Sequence, residues 1–372
     1  MADAVFLVRD SRRIWQLATG DLIMLLHGIF PPITTPFYPD GDIYYKKLEA
    51  NVDRYSRSPV AGLVVQGSTG EAILLSDQER RDVLKAAMEA AAPHKVMIAG
   101  TGIESAIETL RLTEYAASLG YDAAMVRTPH YYRSQINKPQ NMLAFYRTVA
   151  DRSPLPLIIY NFPQATGYDM PADIVVQLAE HQNIIAIKES SGSIEKVQTM
   201  VAHTRHIKRA VAVTEVQEAV TGRMTKAAAA SASSGSLPIA GQPSSAAVAV
   251  MGGLRTRQKD VGFQVIVGAA QKLEPSLAVG AVGAILAFAC AAPTACFEIF
   301  AAWKEMNEKV AQEKQARIAE AAVKVVGEMS IAGVKYAMDL NGYYGGPVRL
   351  PLLPLTAQEK VEVERLMANI KN

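Results

Sequence analysis

In Asn183-Ile-Ile-Ala-Ile-Lys-Glu-Ser-Ser191, four consecutive apolar residues form a run of strand length that ends in a lysine. A strand with one face in water alternates apolar and polar residues, whereas a continuously apolar run is typical of a parallel strand covered on both faces. The preceding run, Leu157-Ile-Ile-Tyr160, has the same character and ends in a tyrosine. Two such strands in succession predict a parallel sheet.

Further runs of this kind extend outward from the pair. With Leu157–Tyr160 and Ile184–Lys188 they are Gly28–Pro36, Gly62–Gln66, Val96–Ala99, Ala123–Val126, Phe263–Val267 and Ala281–Ala287. Amphipathic segments lie between them, such as Ser76–Ala92, Glu104–Leu119, Pro139–Asp151 and Ile194–His203, with helix starts predicted at Ser76 and at Thr101-Gly102. Strands that alternate with helices predict an α/β fold, with a closed TIM (β/α)8 barrel as first choice and an open doubly wound sheet as second. No glycine-rich dinucleotide fingerprint follows the first strand, which favours the barrel.

The remaining segments define the domain organisation. We predict an N-terminal extension over 1–27, the first part of the barrel over 28–203, an insertion between helix 6 and strand 7 over 204–262, the last barrel strands over 263–291 and C-terminal helices over 292–372. Residues 292–330 and 331–372 are predicted to be wholly helical and to pack as a bundle. Residues 1–23 are interpreted as an added helix or as sequence upstream of a start at Met24, and no function is assigned to them.

The insertion has a composition of its own. It contains the low-complexity run Ala227–Gly235 and eight Lys or Arg residues against three acidic ones. An insertion between a barrel helix and the next strand emerges at the N-terminal face, away from the catalytic end. We predict an oligomer contact or a flexible appendage in preference to an effector site. A nucleic-acid role has little support, because aromatic residues do not interleave with the basic ones.

Composition limits the partners. Of 372 residues, 49% are apolar and 20% charged, and the formal net charge is +2, so neither nucleic acid nor an anionic membrane is indicated as a general partner. The longest apolar stretch, Leu277–Phe297, is interrupted by glycine and proline, and the N-terminus does not resemble a secretory signal. Cys290 and Cys296 are predicted to be small buried hydrophobes in a reducing compartment. The sequence therefore predicts a cytoplasmic protein.

Lys188 is the first candidate for chemistry. A lysine at the C-terminal end of a buried barrel strand points into the mouth, where the active sites of such barrels lie. Apolar surroundings disfavour the ammonium form of a lysine and leave an amine that can attack a ketone. The alternative is a lysine that marks the strand end and extends to water.

Tyr160 ends the neighbouring strand and delivers a phenol to the same rim. A phenol beside an amine suits carbinolamine chemistry, because it can pass a proton to and from the substrate oxygen. A tyrosine at a strand end more often serves packing, so its pairing with Lys188 carries the functional interpretation.

The loop Gly67-Ser-Thr-Gly-Glu71 follows the second strand. Its backbone N–H groups could converge on an anion such as a substrate carboxylate, and the hydroxyls of Ser68 and Thr69 could relay protons. The same run also fits an ordinary turn into a helix, so it is a weak motif by itself.

A third polar loop, Thr128-Pro-His-Tyr-Tyr-Arg133, follows the fourth strand. We favour Tyr131 and Tyr132 over His130 as its functional residues. The six histidines form no ligand set with cysteines or carboxylates, so no metal site is predicted.

Taken in order, these segments resemble the dihydrodipicolinate synthase / N-acetylneuraminate lyase family of class I aldolases. The motifs that carry the resemblance are GIFPPITTPF at 28–37, GSTGE at 67–71, TPHYY at 128–132, YNFP at 160–163 and IKES at 187–190. The match covers 28–203 and 263–350 and fails over 1–23 and the insertion.

The resemblance implies a Schiff-base lyase without metal or cofactor, acting on a small 2-oxo acid and an aldehyde. It implies that Lys188 forms the imine, that Tyr160 shuttles protons, and that Ser68 and Thr69 bind the carboxylate and extend the relay. Tyr131 would complete the relay in the site of a neighbouring subunit, because the family is commonly a tetramer built as a dimer of dimers. Ile285 would present its carbonyl to the substrate.

Within the family, two substrate assignments compete. The synthase that condenses pyruvate with aspartate semialdehyde carries an arginine where this chain has Ala165, and alanine cannot bind a second carboxylate. The stretches at 64–71, 122–133 and 342–352 look closer to 4-hydroxy-2-oxoglutarate aldolase, which is the preferred prediction. In that reaction, Ser190 could hydrogen-bond the substrate hydroxyl. The synthase or another sugar-acid lyase is the alternative, and a non-catalytic 2-oxo acid sensor or scaffold is the alternative of another class.

Overall fold

Eight parallel strands form the centre of the protein. The computed structural model describes residues 24–233, 249–251 and 254–371. The described residues contain eleven strands in all, which are β1 Gly28–Phe30, β2 Gly62–Val65, β3 Val96–Gly100, β4 Ala123–Arg127, β5 Leu157–Asn161, β6 Ile184–Glu189, β7 Arg209–Thr214, β8 Ala249–Met251, β9 Leu254–Val261, β10 Gln264–Val267 and β11 Gly283–Ile285. Eight of them form one sheet in the order β1-β11-β10-β6-β5-β4-β3-β2. A parallel bridge from Pro32 to Val64 joins its two edges. The predicted TIM barrel is confirmed.

The barrel has two apolar layers, as strands covered on both faces require. Inward-facing side chains, among them Phe30, Val64, Ile158 and Ile266, form a cluster inside the ring of strands. Alternate residues, such as Val65, Ile159 and Ile187, face the surrounding helices. The predicted first strand, Gly28–Pro36, is too long, since regular pairing ends at Phe30. Pro31 and Pro32 lack the N–H group that a ladder needs.

Helices surround the barrel. They are Tyr45–Ser56, Asp77–Ala90, Ala106–Leu119, Arg133–Ile136, Pro139–Arg152, Pro163–Thr166, Ala172–Ala179, Ile194–Thr204, Gly222–Ser233, Leu273–Ala278, Pro293–Lys304, Glu308–Ala321, Ser330–Leu340 and Ala357–Met367, with a π-helical segment at Ala322–Glu328. Ser76 caps its helix through a capping box with Glu79, as predicted. The start predicted at Thr101-Gly102 is wrong, because the Ser105 side chain caps that helix by accepting from the Glu108 amide.

The C-terminal region departs from the prediction of continuous helix. Residues 341–356 contain no helix and run as an irregular segment between Leu340 and Ala357. Pro347, Pro351 and Pro354 supply the reason, because proline cannot donate a helical hydrogen bond. Arg349 fixes the segment to the barrel by donating to the Gly41 and Leu74 carbonyls.

An ion pair between Arg349 and Glu79 should make stability depend on pH. Hydrogen bonds from Arg349, followed by those from Ser76, lower the pKa of Glu79 from 4.5 to about 2, although burial opposes them. Because the folded pKa is depressed, this stabilisation is present above pH 4.5 and is lost as the pH falls towards 2. We expect Glu79→Gln to destabilise by about 1 kcal/mol at pH 7, after allowance for solvent screening. Urea unfolding at pH 7 and pH 3 should show this difference shrinking in acid, and a constant difference would contradict the assignment.

The described part of the insertion is a cap on the N-terminal end of the barrel. The strands β7, β9 and β8 form an antiparallel sheet, and Val211, Val213 and Val261 pack with Leu25. Arg209 donates to the Ile184 carbonyl, at the start of β6. The helix Gly222–Ser233 lies nearby, and its Arg223 donates to the Lys95 carbonyl directly before β3. The insertion therefore lies opposite the catalytic end of the barrel, although the prediction missed its strands.

Two sets of predictions fall outside the described residues. They are the interpretation of residues 1–23 and the end of the low-complexity run at 227–235, of which the structure describes 227–233.

Candidate active site

Lys188 and Tyr160 lie side by side at the C-terminal end of the barrel. They are paired in register on β6 and β5, and both side chains line a cavity of about 730 Å³. The Lys188 Nζ atom lies 4.0 Å from the centroid of the Tyr160 ring. The two residues are only 4% and 5% exposed, so both face the interior. The predicted pair of phenol and amine is present in one cavity.

Lys188 has no counter-ion within residues 24–233 and 254–371, although Glu189 follows it directly. The strand turns Glu189 to the opposite face, where its carboxylate lies 3.1 Å from Lys196 Nζ and accepts hydrogen bonds from Asn161. The alternation of side chains along a strand thus separates the amine from the nearest carboxylate in sequence. An amine without such a partner is suited to attack a carbonyl carbon.

The Gly67–Glu71 loop forms the wall next to Tyr160. The Ser68 hydroxyl lies 3.3 Å from the Tyr160 hydroxyl, close enough for a hydrogen bond. Thr69 lines the same cavity and is buried. Residues 68–70 form one 3-10 turn, and a side chain at Gly70 would lie 2.9 Å from the Ile33 carbonyl oxygen. The loop therefore places the Ser68 hydroxyl within hydrogen-bond distance of the phenol and Thr69 on the wall of the same cavity.

Ser190 and Ile285 also line the cavity. The Ser190 Oγ atom is buried, and within the described parts of the chain it has no hydrogen-bond partner. A buried hydroxyl at a cavity wall without a partner is available to a bound molecule. Ile285 ends β11 and pairs in register with Phe30.

Tyr131 does not reach the cavity of its own chain. Its side chain is 74% exposed and packs edge-on against Tyr132. Glu104 fixes the loop by accepting hydrogen bonds from the backbone amides of His130 and Tyr131. His130 lines the cavity, whereas the sequence favoured the two tyrosines. Within one chain, the cavity thus brings together all the predicted site residues except Tyr131, which lies outside it. They are Ser68, Thr69, Tyr160, Lys188, Ser190 and Ile285.

A buried ion pair behind the Gly67–Glu71 loop was missed by the sequence analysis. Lys335 Nζ lies 2.5 Å from the Glu71 carboxylate, and both side chains are almost fully buried. Lys335 also donates to the Thr35 and Pro347 carbonyls, and the Arg349 amide donates to Glu71. Burial lowers the pKa of Lys335, and the adjacent Glu71 opposes that shift. This pair connects the C-terminal helices to the loop that carries Ser68 and Thr69.

The two cysteines and the possible metal ligands offer no further candidate site in the described part of the chain. Cys290 and Cys296 are free and buried, as predicted, and burial raises the pKa of the Cys296 thiol to about 12. Among the residues that the structure describes, no group of three His, Cys, Asp or Glu side chains is arranged to hold a metal ion. Every helix within 24–233 and 254–371 is too short or too polar to traverse a bilayer.

Known proteins resemble this chain along nearly its whole length. The sequence profile of the Dihydrodipicolinate synthetase family matches residues 25–251 and 244–370. A 4-hydroxy-tetrahydrodipicolinate synthase of Methanothrix thermoacetophila is 28% identical over 348 residues, which are 94% of this chain and 98% of that protein. A synthase of the same name from Haloarcula marismortui is 38% identical over 181 residues, 48% of this chain and 57% of its own.

Solved structures support the same relationship. A chloride-inhibited dihydrodipicolinate synthase from Acinetobacter baumannii, complexed with pyruvate, is 27% identical, with a TM-score of 0.73 over 92% of this chain and 98% of its own. Dihydrodipicolinate synthase DapA-2 of Bacillus anthracis, 24% identical, shares the fold, with a TM-score of 0.74 over 94% and 100% of the two chains. The predicted family is confirmed. The finer prediction of 4-hydroxy-2-oxoglutarate aldolase has no support in these relatives, which carry the name of the alternative.

Proposed function

Because the chain belongs to the dihydrodipicolinate synthetase family and is thus a carbon–carbon lyase, we propose that it joins or separates pyruvate and an aldehyde through an imine on Lys188. The observation that carries this proposal is the buried Lys188 amine, which has no counter-ion among the described residues and lies 4.0 Å from the Tyr160 ring centroid in a cavity large enough for a small acid. The complex of the Acinetobacter baumannii relative with pyruvate supports a 2-oxo acid as the ligand.

The chemistry begins when Lys188 Nζ attacks the C2 ketone. Tyr160 delivers a proton to the departing oxygen, so that the carbinolamine loses water, and the Ser68 hydroxyl 3.3 Å away exchanges protons with the phenol. The protonated imine withdraws electrons, which allows C3 of pyruvate to lose a proton and form an enamine. The enamine carbon then attacks an aldehyde, and the reverse sequence breaks the C3–C4 bond. Hydrolysis of the imine frees Lys188.

The relatives indicate which aldehyde to test first. Proteins named 4-hydroxy-tetrahydrodipicolinate synthase match nearly the whole chain, so condensation of pyruvate with aspartate semialdehyde is the first candidate.

In a homotetramer, the exposed Tyr131 would extend into the cavity of a neighbouring copy and join the relay there.

A second candidate rests on Ala165. This residue lines the cavity at the position where the synthase would need a guanidinium to hold the carboxylate of its second substrate. The absence of that group counts against the synthase reaction, and retro-aldol cleavage of 4-hydroxy-2-oxoglutarate to pyruvate and glyoxylate is the second candidate. In this reaction the Ser190 hydroxyl, which has no partner among the described residues, would bind the C4 hydroxyl of the substrate.

An assay of both reactions with the same preparation tests the proposal. Condensation is measured as the consumption of pyruvate in the presence of aspartate semialdehyde. Cleavage is measured as the release of pyruvate from 4-hydroxy-2-oxoglutarate. We expect turnover of at least one substrate. The ratio of the two kcat/KM values selects the candidate, and inactivity towards both and towards related 2-oxo sugar acids would refute lyase action on this substrate class.

A further inference from the structure

Arg127 lies in the same row of side chains as the two reacting residues. It is the last residue of β4 and pairs in register with Tyr160, which pairs in turn with Lys188. Ala123 and Met125 point to the inside of the barrel, so alternation along the strand turns Arg127 inward as well. Its side chain lines the cavity. Three adjacent strands therefore place a guanidinium, a phenol and an amine side by side.

The guanidinium is fixed along one edge. Its Nη1 atom donates to Glu104 Oε1 at 3.1 Å and lies 2.8 Å from His130 Nδ1. In the part of the chain that the structure describes, its other two nitrogens have no hydrogen-bond partner. Gly102 permits this packing, since a Cβ atom there would lie 2.4 Å from the Arg127 amide nitrogen and 3.0 Å from its Cγ. Glu104 therefore orients the guanidinium through Nη1, and Nε and Nη2 remain available to a ligand.

The other cations of the cavity wall have different uses. Arg80 donates from Nε to the Ala72 carbonyl and from Nη1 to Asp77. Lys188 is occupied when it forms the imine. Among the described lysines and arginines that line the cavity, Arg127 keeps the most donors for an anion at a distance from the ketone, with two unused guanidinium nitrogens against one on Arg80.

We propose that Arg127 binds a carboxylate at the far end of the substrate, so that the site selects dicarboxylic 2-oxo acids and aldehydes that carry a carboxylate. Arginine suits this role because its planar fork can donate two parallel hydrogen bonds to a carboxylate. The arginine at the end of β4 would thereby replace the cation that Ala165 does not supply. This inference deepens the proposed function and rests on it for the imine at Lys188.

Two ligands of equal chain length provide the test. 2-Oxoglutarate and 2-oxopentanoate share the ketone and the C1 carboxylate, and differ only in a terminal carboxylate or methyl group. The imine that each forms with Lys188 is trapped with borohydride over a range of concentrations and quantified by mass spectrometry. We expect the native protein to prefer 2-oxoglutarate and Arg127→Met to lose about 100-fold in that preference. Arg127→Lys should lie between them, since it keeps the charge without the fork.

Controls separate this inference from its premise. Pyruvate lacks the distal carboxylate, so Arg127→Met should lose far less of its trapping with pyruvate than with 2-oxoglutarate, and Arg80→Met should leave the preference for 2-oxoglutarate intact. An unchanged preference in Arg127→Met, or an equal loss for all three acids, would overturn the role of Arg127. If pyruvate forms no adduct even with the native protein, the imine proposal fails. Calorimetric affinities for the two five-carbon acids would then still measure whether Arg127 selects the carboxylate.

Discussion

Replacing Lys188 by alanine is expected to remove turnover while leaving the fold intact. The amine is the only group in the proposed mechanism that forms a bond to substrate carbon, so its loss should lower kcat by at least about 1000-fold. Stability should change little, because Lys188 makes no ion pair within the described residues. The measurement is a steady-state assay with the better of the two substrates, together with circular dichroism and thermal unfolding.

Lys188→Arg is the matched variant. It keeps a long cationic side chain at the strand end but cannot form an imine, so it should be as inactive as Lys188→Ala. Restored activity in Lys188→Arg would show that charge, rather than covalent chemistry, is what the reaction needs. Retained activity in both variants would remove the covalent mechanism altogether.

Replacing Lys335 by methionine is expected to have the largest effect on stability. The substitution leaves the buried Glu71 carboxylate without its cation, 2.5 Å away in the native protein, and should cost about 3–5 kcal/mol. Because Glu71 ends the loop that carries Ser68 and Thr69, kcat should fall as well. Urea unfolding measures the first effect, and a kinetic assay at a temperature where the variant remains folded measures the second.

The double variant Lys335→Met with Glu71→Gln provides the control. Removing both charges avoids an unpaired carboxylate, so we expect it to recover part of the stability lost in Lys335→Met. Equal destabilisation in the single and double variants would show that the two side chains act independently. If stability returns while kcat stays low, the ion pair has a positioning role in addition to a structural one.

The barrel could be predicted because each of its strands has a local sequence pattern that indicates a buried strand. A run such as Ile184–Ile187 is apolar at every position, and that pattern depends only on burial on both faces. The structures of the insertion and of residues 341–356 could not be predicted, because these segments lack such a local pattern. Their polar, glycine-containing or proline-containing segments take their conformation from contacts with distant parts of the chain, such as Arg209 with the Ile184 carbonyl and Arg349 with Glu79.

The candidate site was predictable where chemistry coincides with a strand end. Lys188 and Tyr160 both follow apolar runs, and their register pairing follows from adjacent strands. Arg127 follows a run in the same way, but the predicted strand stopped at Val126. Counting alternate residues from Ala123 through Met125 would have found it. No local signal marks Lys335, whose partner Glu71 lies far away in sequence.

The proposed function depends on an imine between the Lys188 amine and a 2-oxo acid. The direct measurement is reduction of the native protein with borohydride in the presence of pyruvate, followed by peptide mass spectrometry. We expect a reduced pyruvate adduct on the peptide that contains Lys188, and none in Lys188→Ala. An unmodified protein, or an adduct confined to another lysine, would contradict the account and favour a non-covalent 2-oxo acid sensor.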